Sequence, residues 1–375
     1  MKNTIFLLLD KRLQYERSIL NSVMGGMNYH IEVLFEDEIS WLARIRRSNA
    51  TSPPPELRNY IMRNEVATLQ FLSKTNVPAP KVFDFSFDEA NPVGVGYILM
   101  EKMPGSPLLW SLATTEQRNR VISQLADVYI ELRAFPFATM GSLDQLGSDN
   151  IGAFAQKSLV DFHDSHMKAI GPCSSPKEYF IASIELTLDL IMRQEAYTNR
   201  PVDAFLIHRY LLDSVPRIFT NNELDDGNFY LKHADEKGDH ILVDDDDYNI
   251  TGIIDWEWAY TDSKSAAFNS PIALFDVAAF YDGVNHISEN EVIFAQFLEE
   301  KGHPDLGRIV RNGRLLHRFQ FCCGYDLADW EGFLGLFFGF LRALGISGHL
   351  DWEIWRAEAL EMYRDDPRLQ HLMSL

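Results

Sequence analysis

The stretch His233-Ala-Asp-Glu-Lys-Gly-Asp-His-Ile-Leu-Val-Asp244, followed after a short acidic turn by Ile250-Thr-Gly-Ile-Ile-Asp-Trp-Glu-Trp258, decides how the rest of the chain reads. It opens with a polar loop carrying His233, Asp235, Lys237, Asp239 and His240. Two apolar runs follow, Ile241 to Val243 and Ile250 to Ile254, split by the turn Asp244 to Asn249. Short apolar runs on either side of an Asp/Asn-rich turn predict a β-hairpin. A hairpin folds back, so Asp235 and His240 before its first strand come to lie beside Asp255 after its second. Two carboxylates plus a third ligand suit a hydrated Mg²⁺ carrying a phosphate.

The same stretch resembles the catalytic loop and metal-binding aspartate of the aminoglycoside phosphotransferase and choline kinase-like family, and is closest in style to its fungal members. Those proteins are small-molecule kinases with a protein-kinase-like fold. The family pattern is His-x-Asp, four residues, Asn, a short hairpin, then Ile-Asp-Trp or similar. His233, Asp235 and Asp255 fall on it, and His240 stands where Asn is expected. Lys237 also matches the Asp-x-Lys of Ser/Thr protein kinases, whose lysine touches the transferred phosphate. A second acid-to-Asn spacing, Glu223 to Asn228, competes upstream. It lacks a hairpin after Asn228, and its Asp-Asp-Gly-Asn composition reads as a solvated turn.

The resemblance implies an α+β, protein-kinase-like bilobal fold. A small antiparallel β N-lobe with one helix would span residues 1–103, and a larger, mostly helical C-lobe residues 104–375. The length of 375 residues suffices for two core-forming lobes, and 46% hydrophobic and 12% aromatic content marks a globular chain. A net charge of −20 argues against nucleic acid or an anionic membrane as partner. It suits a cationic substrate, and equally a merely soluble surface. Cys173, Cys322 and Cys323 form neither a disulfide framework nor a zinc pattern, which implies a reducing, cytoplasmic setting. The apolar run 332–341 is too short to span a bilayer and reads as a buried helix.

Taken in order, residues 1 to 20 read as a helix. Gly25-Gly26 then precedes two alternating runs, 29–35 and 40–47, that predict paired strands. Glycines at such a tip let backbone N–H groups approach a phosphate; a plain turn is the competing reading. On the second strand Leu42, Arg44 and Arg46 share one face and Trp41, Ala43 and Ile45 the other. Arg44 occupies the place of the family's phosphate-pairing lysine, with two solvated arginines on an edge strand as the alternative. A helix from Glu56 to Ser73 puts Leu57, Ile61, Val66, Leu69 and Leu72 near one stripe. By resemblance its Glu65 braces the strand cation. Val77-Pro-Ala-Pro80 is a rigid connector, and Tyr97 to Met100 a strand. Glu101 and Met103 resemble the hinge positions that read an adenine edge. Beyond Pro104-Gly105 the pattern turns helical: Val121, Leu125, Val128 and Leu132 at helical spacing, residues 177–214 as one or two helices with His208 and Tyr210 packed, and a docking helix carrying Trp355, Ala359, Met362 and Tyr363. Asp276 either braces the catalytic loop, as the resemblance has it, or caps a helix.

The reaction implied is transfer of the γ-phosphate of ATP or GTP to a hydroxyl of a small molecule, with Mg²⁺ or Mn²⁺. Asp235 would orient the acceptor, Asp255 and His240 hold the metal, Arg44 the phosphates, Lys237 the moving phosphoryl group, and His233 brace the loop. A neutral imidazole suits Mn²⁺ better than Mg²⁺. Two other readings stay open on the sequence alone: a kinase-like protein that binds without transferring phosphate, and an enzyme using the same groups for other chemistry such as metal-assisted hydrolysis. The acceptor and the oligomeric state carry no motif.

Overall fold

A computed structural model describes residues 25–37, 39–47, 53–156, 169–220, 224–325, 330–346 and 351–375. The helix expected over residues 1–20 lies outside them. The chain divides into two compact units. One comprises residues 1–124, 141–158 and 233–260, and the other residues 125–140, 159–232 and 261–375.

The first unit is built on a four-stranded antiparallel sheet of β1 (Asn28–Leu34), β2 (Ser40–Arg46), β3 (Val82–Ser86) and β4 (Tyr97–Glu101), in the order β1-β2-β4-β3. Cross-strand partners share a face. Tyr29, Ile31 and Val33 of β1 pair with Ile45, Ala43 and Trp41 of β2, and Ala43 and Ile45 with Leu99 and Tyr97 of β4. Val33, Ala43, Ile45, Tyr97 and Leu99 form the buried cluster on that side. The opposite face carries Asn28 opposite Arg46 and His30 opposite Arg44. β2 is therefore an interior strand, and Arg44 and Arg46 are buried at 6% and 8% exposure. The reading of two solvated arginines on an edge strand is overturned. The register itself buries them, because one face of an interior strand has no solvent side once a helix covers it.

That helix is α1 (Pro55–Leu72), which starts with proline at its first turn, where a missing N–H costs nothing. Leu57, Ile61, Val66, Leu69 and Leu72 are buried as their spacing predicts, and so is Glu65, at 3% exposure. A second, three-stranded sheet joins β5 (Ser106–Pro107) to the hairpin of β8 (Ile241–Val243) and β9 (Ile250–Ile253), in the order β9-β8-β5. A small separate pairing joins β6 (Ser142–Leu143) to β7 (Ile151–Gly152), which come between β5 and β8 in the chain. The hairpin's turn closes as an Asp/Asn turn should: Asp244 accepts from the amides of Asp247 (2.7 Å) and Asn249 (3.3 Å). Ile253 donates its N–H to Pro78 of the proline connector at 2.7 Å. Gly105 is needed where it stands. Its φ is +97°, and a Cβ there would lie 2.5 Å from the Val243 carbonyl oxygen.

The second unit is helical. Pro176–Met192 and Pro201–Ile218 fill the segment expected to hold one or two helices, and Phe180, Ile184, Leu188, Phe205 and Leu211 pack with Phe333, Phe337 and Phe340 of helix Trp330–Ala343. Cys322 is buried and Cys323 half-buried. Asp276 accepts from the Ala279 amide at 3.0 Å and caps helix Val277–Tyr281. The terminal docking helix is two helices, Trp352–Met362 and Pro367–Ser374. Ala359 and Tyr363, four apart on one stripe, are buried, but Met362, about 100° round the helix from Tyr363, is 63% exposed. Antiparallel sheets in one unit and helices in the other make the fold α+β. Among the described residues, no helix is long and apolar enough to cross a membrane.

His208 is fully buried, its Nδ1–H donating to the Ala204 carbonyl at 2.9 Å. Burial pushes its pKa from 6.5 down to about 4. The unfolded chain therefore binds this proton at a higher pH than the folded one. Stability is predicted to fall as pH drops from about 6.5 to 4, by about 3 kcal/mol for this group. Urea unfolding of wild type and His208→Gln over that range should show a shallower acid-side slope in the variant.

Candidate functional site

The candidate residues of the loop and hairpin lie in the first unit with β2 and α1. The loop after His233 ends in a 3₁₀ turn, Gly238–His240, that feeds β8, and β9 runs out through Ile254 into Asp255. His233 ties the two ends together. Its Nδ1 accepts from the Asp235 amide at 3.1 Å, and its Nε2–H donates to the Ile254 carbonyl at 2.9 Å. The ring packs edge-on against Trp256, and burial lowers its pKa, so it is a neutral imidazole with both nitrogens engaged.

His240 lies between the two acids. Its Nδ1–H donates to the backbone carbonyl of Asp235 at 2.8 Å and stands 3.9 Å from that residue's Oδ2. A carbonyl only accepts, so in the neutral ring the lone pair is on Nε2, which faces Asp255 Oδ2 at 3.4 Å. Two lone-pair atoms at that separation fit as neighbouring ligands of one divalent cation. Among the described residues no group of three or more His, Cys, Asp or Glu is placed to hold a metal alone. A cation here would complete its shell with water and phosphate oxygens, as Mg²⁺ at a nucleotide does. Asp235 Oδ2 also takes the Lys237 ammonium at 2.7 Å, and this hydrogen bond raises the lysine's pKa.

The other oxygen of Asp255 belongs to Arg44, whose Nη2 donates to Oδ1 at 2.6 Å. The same Nη2 lies 3.1 Å from Glu257 Oε1, and Arg44 Nε lies 3.3 Å from Glu65 Oε2. Arg46 pairs with the second oxygen of Glu257, and Asn28 Nδ2 donates to Glu257 Oε1 at 3.2 Å. Burial works against the Asp255 carboxylate, but Arg44, through its charge and its hydrogen bond, outweighs it and holds the pKa below the ordinary value. Glu65 goes the other way: burial, with Glu257 and Asp255 adding to it against the pull of Arg44 and Arg46, raises its pKa to about 8. Burial alone would weaken the charge on Arg44, yet three acids hold its proton more firmly than in water.

Of the residues singled out in the sequence, the structure thus brings together His233, Asp235, Lys237, His240, Arg44, Glu65 and Asp255. Gly25 and Gly26 form a turn whose carbonyls accept from Arg47 at 3.0 and 2.9 Å, and Gly25 N–H donates to the Asn28 carbonyl at 2.8 Å. Through Asn28 that turn reaches Glu257. Glu101 is bound instead to Lys81, donating its N–H to the Lys81 carbonyl at 2.8 Å, and Met103 lies against Gly252 of β9. Of the rival register, Glu223 lies outside the described residues; in the second unit Asp226 accepts from the Asn228 amide and the Tyr230 hydroxyl.

Sequence reasoning missed Glu257, Arg46 and Asn28 as members of the cluster. A signal was present. Arg44 and Arg46 are two apart on one strand face, and Asp255 and Glu257 are two apart after β9, so the pairs Arg44–Asp255 and Arg46–Glu257 have the same separation of 211 residues. Matched charges at equal spacing on two segments are a pairing pattern.

The sequence model of the phosphotransferase enzyme family (APH) matches residues 32–262, more than half of the chain. This protein belongs to that family. The phosphotransferase family is one of small-molecule phosphotransferases, and the antiparallel sheet, buried helix glutamate and loop-hairpin of the chain follow its protein-kinase-like fold. Among curated proteins, 88 residues of this family member are 38% identical to the subtelomeric hrmA-associated cluster protein of Aspergillus fumigatus, covering 23% of this chain and 17% of that protein. A stretch of 146 residues is 26% identical to altered inheritance of mitochondria protein 9 of Candida glabrata, over 33% of this chain and 22% of that one. The matches therefore span less than a quarter of either relative. Among solved structures, wild-type aminoglycoside 2′-phosphotransferase-IIIa in its GDP complex is 17% identical, with 90% of this chain and 89% of that chain covered and a TM-score of 0.44. Plasmodium vivax ethanolamine kinase is 14% identical, with 91% and 80% covered and a TM-score of 0.48.

Arg44→Met would leave Glu65, Asp255 and Glu257 crowded around an apolar side chain. Removing one partner of a buried ionic cluster costs about 3–5 kcal/mol. Urea denaturation at pH 7 should show a loss of that size, and a smaller one for Arg44→Lys, which keeps the charge without the fork.

Proposed function

We propose that this protein is a small-molecule kinase that transfers the γ-phosphate of ATP or GTP to a hydroxyl of a small metabolite. One observation carries the reading: Asp235 and Asp255, 20 residues apart in sequence, face the same His240 imidazole, with Arg44 on the far oxygen of Asp255. A γ-phosphoryl group moving between two oxygens needs positioning and neutralised charge more than a strong base.

In this reading Asp235 orients the acceptor hydroxyl and takes its proton late, as the new O–P bond forms and the bond from Pγ to the bridging oxygen breaks to release the nucleoside diphosphate. His233 holds the Asp235 amide in place. Lys237 leaves Asp235 to neutralise charge on the moving phosphoryl group. Asp255 Oδ2 and His240 Nε2 hold the divalent cation, which supplies neutralisation of the phosphate oxygens when bound. Arg44 turns from Asp255 toward the α- and β-phosphates while Glu65 keeps hold of it. The Gly25-Gly26 turn covers the phosphates, and the chain around Glu101 and Met103 reads the base. In this reading residues 1–103 cover the nucleotide and residues 104–375 carry the catalytic loop and the acceptor, a division by role that does not coincide with the two compact units, and the protein works in a reducing cytoplasm.

Release of nucleoside diphosphate should be followed with a panel of amino alcohols, hydroxylated amines and aminoglycosides. Asp235→Asn is predicted to lower kcat by about 10²-fold or more while leaving nucleotide affinity within a few-fold. Unchanged turnover in this variant would remove the reading, and nucleotide binding without turnover in wild type would replace it with a binding role. His240 supplies nitrogen where oxygen is usual, so the cation preference should be Mn²⁺ over Mg²⁺. His240→Asn is predicted to reverse that preference in the metal dependence of the same assay.

A further inference from the structure

Glu257 is buried, at 7% side-chain exposure, and holds three partners: Arg44, Arg46 and Asn28. It lies in a turn that begins and ends in an unfavourable backbone. Asp255 has φ +66° and Trp258 φ +65°, the left-handed region that side-chain-bearing residues avoid. Something must keep that turn in place, because it aims Asp255 Oδ2 at His240.

Arg44 does so in the structure as it stands, through Asp255 Oδ1. Yet Arg44 is shared among three acids, and the proposed reaction draws it to phosphate. The contacts of Glu257 with Arg46 and Asn28 do not depend on Arg44. Arg46 sits opposite Asn28 in the β1–β2 register, so both donors come from one rung of a sheet. Asn28 also accepts the N–H of Gly25, which links the glycine turn to the same carboxylate.

We infer that Glu257 is a positioning residue: held by Arg46 and Asn28, it fixes the Asp255–Trp258 turn so that Asp255 stays beside His240 when Arg44 is drawn away. The inference rests on the proposed cation site at Asp255. It distinguishes Glu257 from a residue that merely adds stability, because its effect should grow when phosphate is present.

Mn²⁺ binding, followed by electron paramagnetic resonance with and without a saturating non-hydrolysable ATP analogue, tests this. Glu257→Gln and Arg46→Met are each expected to weaken Mn²⁺ about tenfold or more with the analogue, the usual effect of losing a group that orients a ligand. Without the analogue, where Arg44 still holds Asp255, the loss should be clearly smaller than that roughly tenfold effect, because one of the turn's two holds is intact. The double variant should lose no more than either single one, and Arg46→Lys should recover part of the affinity. Thermal melts establish folding, and Asn28→Ala, which deletes one hydrogen bond, decides the matter through a smaller loss of the same kind if the charge variants do not fold. Wild-type affinity in folded Glu257→Gln and Arg46→Met, or an equal loss with and without the analogue, would overturn the inference. If Asp255→Asn binds Mn²⁺ as tightly as wild type, the functional reading itself is wrong, which is a separate result.

Discussion

A guanidinium buried among three carboxylates is the interaction on which the first unit depends. Taking Arg44 out of water is costly, and only close, well-aimed partners offset that cost. The partners come from two places: Glu65 from α1, and Asp255 and Glu257 from the segment after β9. The charge therefore works as a three-way joint between the sheet, the helix and the hairpin. Two arginines face three acids, and burial, with Glu257 and Asp255 beside it, raises the pKa of Glu65, which moves the cluster toward neutrality. A buried cluster close to neutral is easier to tolerate than one with an excess negative charge.

The loop from His233 to His240 is organised by a different device. Here the histidines satisfy backbone groups first. His233 joins the Asp235 amide to the Ile254 carbonyl, and His240 takes the Asp235 carbonyl. Both rings are thereby locked in one tautomer and one orientation. The replacement of the family's Asn by His240 is thus compatible with the local fold, because an imidazole can serve the carbonyl with one nitrogen and the Asp255 side with the other. An amide side chain offers the same pair of functions, a donor and an acceptor, with a harder atom at the acceptor end.

Much of this was legible from sequence because it depends on local pattern. The hairpin follows from two apolar runs and an Asp/Asn turn, and helix α1 from its stripe of leucine, isoleucine and valine. The tail was less legible: Met362 falls near the stripe of Trp355 and Ala359, yet it is exposed while its neighbour Tyr363 is buried. Periodicity says which residues share a face, and it does not say where the face stops being covered.

By itself the sequence determined that Asp235, His240 and Asp255 would meet, since a closed hairpin sets the residues before its first strand beside those after its second. Only the tertiary structure decided who partners whom around them. Strand order made β2 interior and turned two arginines that could have been solvated into buried charges. The packing of α1 then drew Glu65 inward, and Glu257 became the shared acceptor of Arg44, Arg46 and Asn28. Those outcomes depend on contacts between segments some two hundred residues apart, where burial and ion pairing decide together, and no local propensity encodes them.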